Sequence, residues 1–494
     1  MQPASVMLIP AGNYNPTQAV PQNIDDSQPQ SSNFFYISGY NDKQSLIFLW
    51  RGGDGKDSKN TNKNSTKQII FSPSPTASTA LWTGELLSPD KLARSMMFDN
   101  GLPLDAFTVF IKERLQGIKN IYYPIGEKSQ LDNYICDLVN QLSNHGLRQG
   151  ITTPKNIITS EDMFASMRLV KSSTELSKIK RAAAISVGGH KRLADQLHNL
   201  KHEYQGEADL SYHYKLNGGT AAFPSIVAAG KNACVLHYTK NDQAIKPSDS
   251  LLVDSGAALD HYVADMTRCY PPRNLNTSKA KAYVEVYEEV LSVHKRLCKA
   301  VKPGMTLAEL HKKAVNWLVD SLLKLEIMQG ERREIIRAGV YNRYYPHQTS
   351  HWIGLDVHDL GLYQGQKLGK GMVFSIEPGL YIPADDKRVE PHWRGIGVRI
   401  EDTLAINSSG VVENLTQGMP YWQNSQSSQS SQSKQSRQNR QNRQSKQSKQ
   451  NRQSKQSKQS KQSKQNKQNS QSKQSKQSKQ NSQSKQSKQS KQNS

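Results

Sequence analysis

The chain has 494 residues, with 65 Lys or Arg against 42 Asp or Glu and a formal net charge of +23. Of the basic residues, 18 lie in residues 423–494, which hold no acid, leaving 47 basic against 42 acidic residues in the body. The charge that would mark a nucleic-acid binder therefore belongs to a tail and not to the rest of the chain. This length allows two or three domains.

Residues 1–33 are polar and rich in Pro, Gln and Asn, and a loosely ordered segment is expected there. Their first residues lack the cationic start and sustained apolar run of a signal peptide. FFYISGY and SLIFLW read as two strand-like apolar runs around a polar turn. RGGDGKDSKNTNKNSTK reads as a flexible excursion, and IIFS and ALWTGELL resume the domain. Helical patterns follow at about 104–115 and 130–142, making an α/β domain over residues 34–166.

A second domain is expected over residues 167–422. Ser172 and Glu175 have the spacing of a capping box, and Leu193, Leu197 and Leu200 continue at helical spacing. Long helices over about 279–301 and 307–325, separated by Pro303 and Gly304, alternate with strand-like phrases. From residue 423 onward the chain repeats Gln-Ser-Lys and contains no apolar residue, so disorder is expected. Such a tail suits contact with acidic surfaces or nucleic acid, or is an expansion without catalytic consequence; it has no aromatics for base stacking. No stretch approaches the ~20 apolar residues of a membrane span. Cys136, Cys234, Cys269 and Cys298 lack CxxC spacing and read as reduced thiols of a cytoplasmic protein.

Five phrases of the second domain carry the chemistry. They hold Asp254 (LLVDSG), Asp265 (ADMTR), His351 (SHWIGLDVHD), Glu377 (SIEPGLY) and Glu401 (GVRIED). Four carboxylates and an imidazole in one pocket cost several kcal/mol per charge unless cations neutralise them. Such an oxygen-rich set with one nitrogen suits Mn2+ or a similar ion, and the four carboxylates can bridge a pair. A hairpin turning around Leu259-Asp260 would set Asp254 and Asp265 about 5 Å apart; alone, the same phrase could be a surface hairpin with solvated acids. If residues 354–359 are extended, Asp356 and His358 share a face. Arg399, two before Glu401, either orients a ligand carboxylate or is a surface charge. Tyr381 is either near the ligands or a core tyrosine. Read alone, the HxxxH of His347 and His351 could be a structural pair, and His237 in CVLHYTKND an ordinary histidine.

Together, and in this order, the phrases resemble the aminopeptidase P and prolidase family of metallopeptidases (family M24B), over about residues 34–422. The bacterial Xaa-Pro aminopeptidases are the nearest in wording, and His347 to Asp359 is the most specific stretch. The resemblance implies an α/β (α+β) chain, with an N-terminal creatinase/prolidase-like domain followed by a pita-bread catalytic domain. It implies two divalent ions, most readily Mn2+, held by Asp254, Asp265, His351, Glu377 and Glu401, with Asp265 bridging. A bridging hydroxide would cleave the X-Pro bond at the N-terminus of peptides, and Glu377 would shuttle the proton. His358 would hydrogen-bond the scissile carbonyl. His347 and His237 would lie in the substrate pocket, and Trp352 and Tyr345 would supply an apolar face for the proline ring. A homo-oligomer, dimer or tetramer, is implied. A dipeptide-only prolidase is the near alternative. A non-catalytic binding protein on the same fold is disfavoured by the complete ligand set. Gln348-Thr349 departs from the Gly and aliphatic residue common in the family.

Overall fold

A computed structural model describes residues 1–12, 30–52, 66–127, 129–150, 152–423 and 472–473. The expected excursion falls mostly on residues 53–65 and the expected disordered tail on residues beyond 423, and both lie almost wholly outside the described residues.

The N-terminal residues depart from expectation. Ser5–Pro10 is not loosely ordered but a fully buried strand, third from one edge of a six-stranded mixed sheet. The sheet order is Asn100–Pro103, Thr66–Ser72, Leu46–Arg51, Ser5–Pro10, Asn120–Tyr122 and Asn156–Ile158. Side chains alternate across a strand, so Val6 and Leu8 enter one core with Phe48, Phe71, Phe107 and Ile135. Met7 and Ile9 enter another with Phe34, Ile70, Leu92 and Phe164. A short apolar run with no polar face is the pattern of a strand covered on both sides.

The FFYIS run is not a strand but part of a helix, Ser32–Ser38. Its aromatic residues favour strands weakly, but the ends decide. Ser31 accepts a hydrogen bond from the Phe34 amide, and Gly39 sits at φ +66 and closes onto the Phe35 carbonyl. The helix buries Phe34 and stacks Phe35 on His261, with ring centroids 3.9 Å apart.

The second half is built from helices Ser173–Gln196, Glu203–Leu216, Ser278–Ala300 and Leu307–Lys324, around short antiparallel sheets. Ser172 with Glu175 and Thr306 with Glu309 form complete capping boxes. The leucine stripe ends early: Leu193 is buried in its helix, whereas Leu197 and Leu200 lie beyond Gln196. Leu251–Asp254 pairs with Ile226–Ala229 on one side and Thr267–Tyr270 on the other. Val373–Ile376 pairs with Asp402–Ile406, and Gly379–Ile382 with Ile396–Arg399. Asp254 is the last residue of its strand, Glu377 directly follows Val373–Ile376, and Glu401 lies between Ile396–Arg399 and Asp402–Ile406.

Candidate metal centre

Asp254 closes the strand Leu251–Asp254 and lies opposite Thr267, not Asp265. Between them the chain makes a smaller hairpin, with Leu259 opposite Tyr262. Its two-residue turn is Asp260-His261, one position later than expected. Both residues have positive φ, 49 and 66, the geometry that suits a tight hairpin. At Gly256 a Cβ would lie 1.7 Å from the Ala264 carbonyl oxygen. Only glycine lets these segments pass so closely, and this passage puts Asp265 beside Asp254.

Around His351 the acids converge. Its Nε2 lies 3.4 Å from Glu377 Oε1, 3.5 Å from Asp265 Oδ2 and 3.9 Å from Glu401 Oε1. Its Nδ1 donates to the Trp352 carbonyl at 3.1 Å, which fixes the tautomer that leaves Nε2 as the electron-pair donor. Asp265, His351 and Glu401 offer ligand atoms within 4.8 Å of one another. Asp254 Oδ1, Asp265 Oδ1 and Glu401 Oε1 are buried with no hydrogen-bond partner among the described residues. Buried carboxylate oxygens are normally satisfied, so these orphaned oxygens ask for cations. The donor set of four carboxylates and one imidazole fits hard or borderline divalent ions.

Electrostatics agree. Burial and the Asp254 charge push the Asp265 carboxyl up to about 6. Burial pushes Glu377 up to about 7 against the pull of His351 and Arg399. Glu401 is raised well above its ordinary value by burial, Asp265 and Glu377. Burial alone would lower His351, but Asp265 and Glu377 push it up to about 9. Without cations the cluster holds protons in their place.

Arg399 lies beside the acids. It donates to Asp254 Oδ2 at 2.5 Å, to the Tyr381 hydroxyl at 3.0 Å and to Thr267 Oγ1 at 3.2 Å. His347 Nδ1 donates to the Gln348 carbonyl at 2.8 Å, and its Nε2 is 2.8 Å from the Tyr381 hydroxyl. Burial, then Arg399, push His347 down to about 3. It is therefore neutral, so Nε2 accepts from Tyr381, which in turn accepts from Arg399. His358 points into the cavity, its ring 4.5 Å from His351 and 6.5 Å from His237. Burial and the two histidines lower its pKa.

These residues line a cavity of about 710 Å³ whose apolar walls are Phe223, Pro224, Ile226, Leu236, Val357 and Tyr363. Trp352 and Tyr345 are not among its walls; both are essentially fully buried. Trp352 packs on Phe374 and Tyr363. The Tyr345 hydroxyl is tied to Thr349, which also meets His311. Asp356 and His358 do not share a face: residues 354–358 form bends, and Asp356 turns away to Ser32 and Arg168.

The model for metallopeptidase family M24 matches residues 177–408, and that for the aminopeptidase P N-terminal domain matches residues 1–122. An Xaa-Pro aminopeptidase of Escherichia coli K12 is 32% identical over 84% of this chain and 91% of its own length. The chain belongs to metallopeptidase family M24. Mouse Xaa-Pro aminopeptidase 3 is 27% identical over 79% of this chain and 75% of its own length. Among solved structures, E. coli aminopeptidase P with the inhibitor Pro-Leu aligns with a TM-score of 0.75 at 29% identity, over 85% of this chain and 93% of that one. A Yersinia pestis proline aminopeptidase P II aligns equally well. This M24 enzyme thus pairs an aminopeptidase P-type N-terminal domain with a pita-bread metallohydrolase domain, and M24 enzymes depend on divalent metal.

Residues that the motifs did not single out support this M24 centre. Thr267 donates to Glu401 Oε2 at 2.7 Å. Arg268 donates to the Glu401 carbonyl at 2.6 Å and pairs with Asp402 at 2.7 Å, all buried. Despite burial, Arg268 and His294 hold Asp402 down at about 2. His294, Cys298 and Asp402 are close enough to hold an ion, but Arg268, Thr416 and Tyr421 already occupy the Asp402 oxygens. Thr267 and Arg268 within the ADMTR phrase, and Asp402 next to Glu401 in GVRIED, were the available signal.

A pH effect follows. In the metal-free fold, Asp265 and Glu377 keep protons that the unfolded chain releases at ordinary carboxylate values. Their contribution to stability is complete below about pH 4 and is lost as pH rises through about 6 to 7. Metal bound at these carboxylates would replace those protons. The rise in Tm on adding Mn2+ is therefore expected to be large near pH 8 and to shrink towards pH 5.5. Calorimetry at both values checks it; an equal rise at both would contradict the proton–metal exchange.

Proposed function

We propose that this chain is an Xaa-Pro aminopeptidase that binds two divalent ions, most readily Mn2+, through Asp254, Asp265, His351, Glu377 and Glu401. The observation that carries the reading is the convergence of these five side chains with three orphaned buried carboxylate oxygens. The names of the relatives supply the substrate class. When bound, the ions supply Lewis-acid polarisation and an acidified water.

The chain's own residues do the rest. Arg399 holds Asp254 in one orientation. Glu377, raised towards neutrality, is suited to take a proton and pass it to the leaving nitrogen. His358, which faces the cavity, would hydrogen-bond the scissile carbonyl as charge develops on it. Neutral His347, held by Tyr381, and His237 flank the substrate. An X-Pro bond offers no N–H on its proline side and has a fixed φ, so recognition by ring shape in an apolar-walled cavity suits it better than strand pairing. The four cysteines are free, in keeping with a reducing cytoplasm. A homo-oligomer belongs to the same reading.

The test is turnover of X-Pro-Y tripeptides against X-Pro dipeptides by the purified, metal-loaded protein. Binding energy from the residue after proline is expected to raise kcat/KM on the tripeptide about tenfold over the dipeptide. Cleavage of dipeptides alone would make the protein a prolidase.

A further inference from the structure

His358 makes no hydrogen bond through its ring among the described residues, so its aim depends on the backbone of residues 354–360. That segment has no regular secondary structure. Immediately beside His358, Asp359 points the opposite way and is buried between two cations. Arg168 donates to Asp359, and Lys171 donates to its other oxygen at 3.0 Å. The Arg168 guanidinium also reaches Asp356 at 2.6 Å and Asn33 Oδ1 at 2.8 Å. Ser32 donates to Asp356 at 2.7 Å. Two cations and two carboxylates balance, and Arg168, Lys171 and Asp359 are almost wholly buried. The cluster is pressed against the chain: a Cβ on Gly354 would lie 2.1 Å from Asp359 and 2.9 Å from Lys171.

An ion cluster of this kind contributes little net stability, because desolvation offsets the attraction. What it supplies is a fixed geometry, since the planar guanidinium meets three acceptors at set angles. We infer that the Arg168–Asp359–Lys171 cluster, with Asp356 and Ser32, is the positioning device for His358 and ties its loop to the N-terminal helix Ser32–Ser38. The five are positioning residues; none lines the cavity. The inference rests on the reading that His358 meets the scissile carbonyl.

The test is a double-mutant cycle on the full-length, metal-loaded enzyme with an X-Pro-Y tripeptide. Arg168→Lys keeps the charge and loses the fork. It is expected to lower kcat about tenfold through misplacement of His358, with KM within about twofold and metal stoichiometry unchanged. In a His358→Ala background the same substitution is expected to cost nothing further, because its effect passes through a group already removed. Asp356→Asn, at a half-exposed position, should act in the same direction and decides the matter if Arg168→Lys fails to fold. An equal loss in both backgrounds would overturn the positioning link and leave the His358 reading intact, as would wild-type kcat in both variants. Wild-type kcat in His358→Ala alone would overturn the His358 reading and this inference with it.

Discussion

Asp265→Ala is expected to leave a folded protein that has lost most of its metal and at least about 10³-fold of its peptidase activity. Asp265 lies 3.5 Å from His351 Nε2 with its second oxygen orphaned, so on the two-ion proposal its two oxygens would serve both ions. Its loss removes the Lewis-acid contribution of several kcal/mol. The fold should tolerate the change for an electrostatic reason. Burial and Asp254 already disfavour the Asp265 charge, so removing it relieves repulsion that metal no longer offsets. The metal-free Tm near pH 8 should equal or exceed that of the metal-free parent. Metal analysis, a peptide assay and calorimetry on one preparation check all three parts. Full activity with the parent's metal content would end the assignment of Asp265 as a ligand.

His358→Ala is expected to keep its metal and lose kcat by about 10²-fold, the usual consequence of deleting one donor aimed at developing charge. Its ring faces the cavity 4.5 Å from the His351 ring and is no nearer a ligand role than that. The substitution removes a group that acts in the transition state, so kcat and kcat/KM should fall together. Loss of metal in this variant would move His358 into the ligand set.

Much of this was legible in the sequence because the chemistry is local. Asp254, Glu377 and Glu401 each follow an apolar run that becomes a short strand, and the capping box at Ser172 is written within four residues. What was missed depends on distant partners. Ser5–Pro10 lies in a polar stretch, and its apolar run gains meaning only between Leu46–Arg51 and Asn120–Tyr122. The FFYIS run became helical because Ser31 and Gly39 cap it, overriding weak strand preference. Trp352 lies within the most specific stretch and Tyr345 two residues before it, yet both are buried in the core, since an aromatic residue near the site need not face the substrate. Asp356 and Asp359 could not be told from solvated charges without Arg168 and Lys171, nearly two hundred residues earlier in the chain.

The most direct test of the two-ion proposal is a titration of metal-free protein with Mn2+, following release of the first residue from an X-Pro-Y peptide. Activity is expected to be absent without metal and to rise to a plateau at two equivalents per chain. Full turnover without metal, or a plateau with no metal bound at Asp254, Asp265, His351, Glu377 and Glu401, would contradict it.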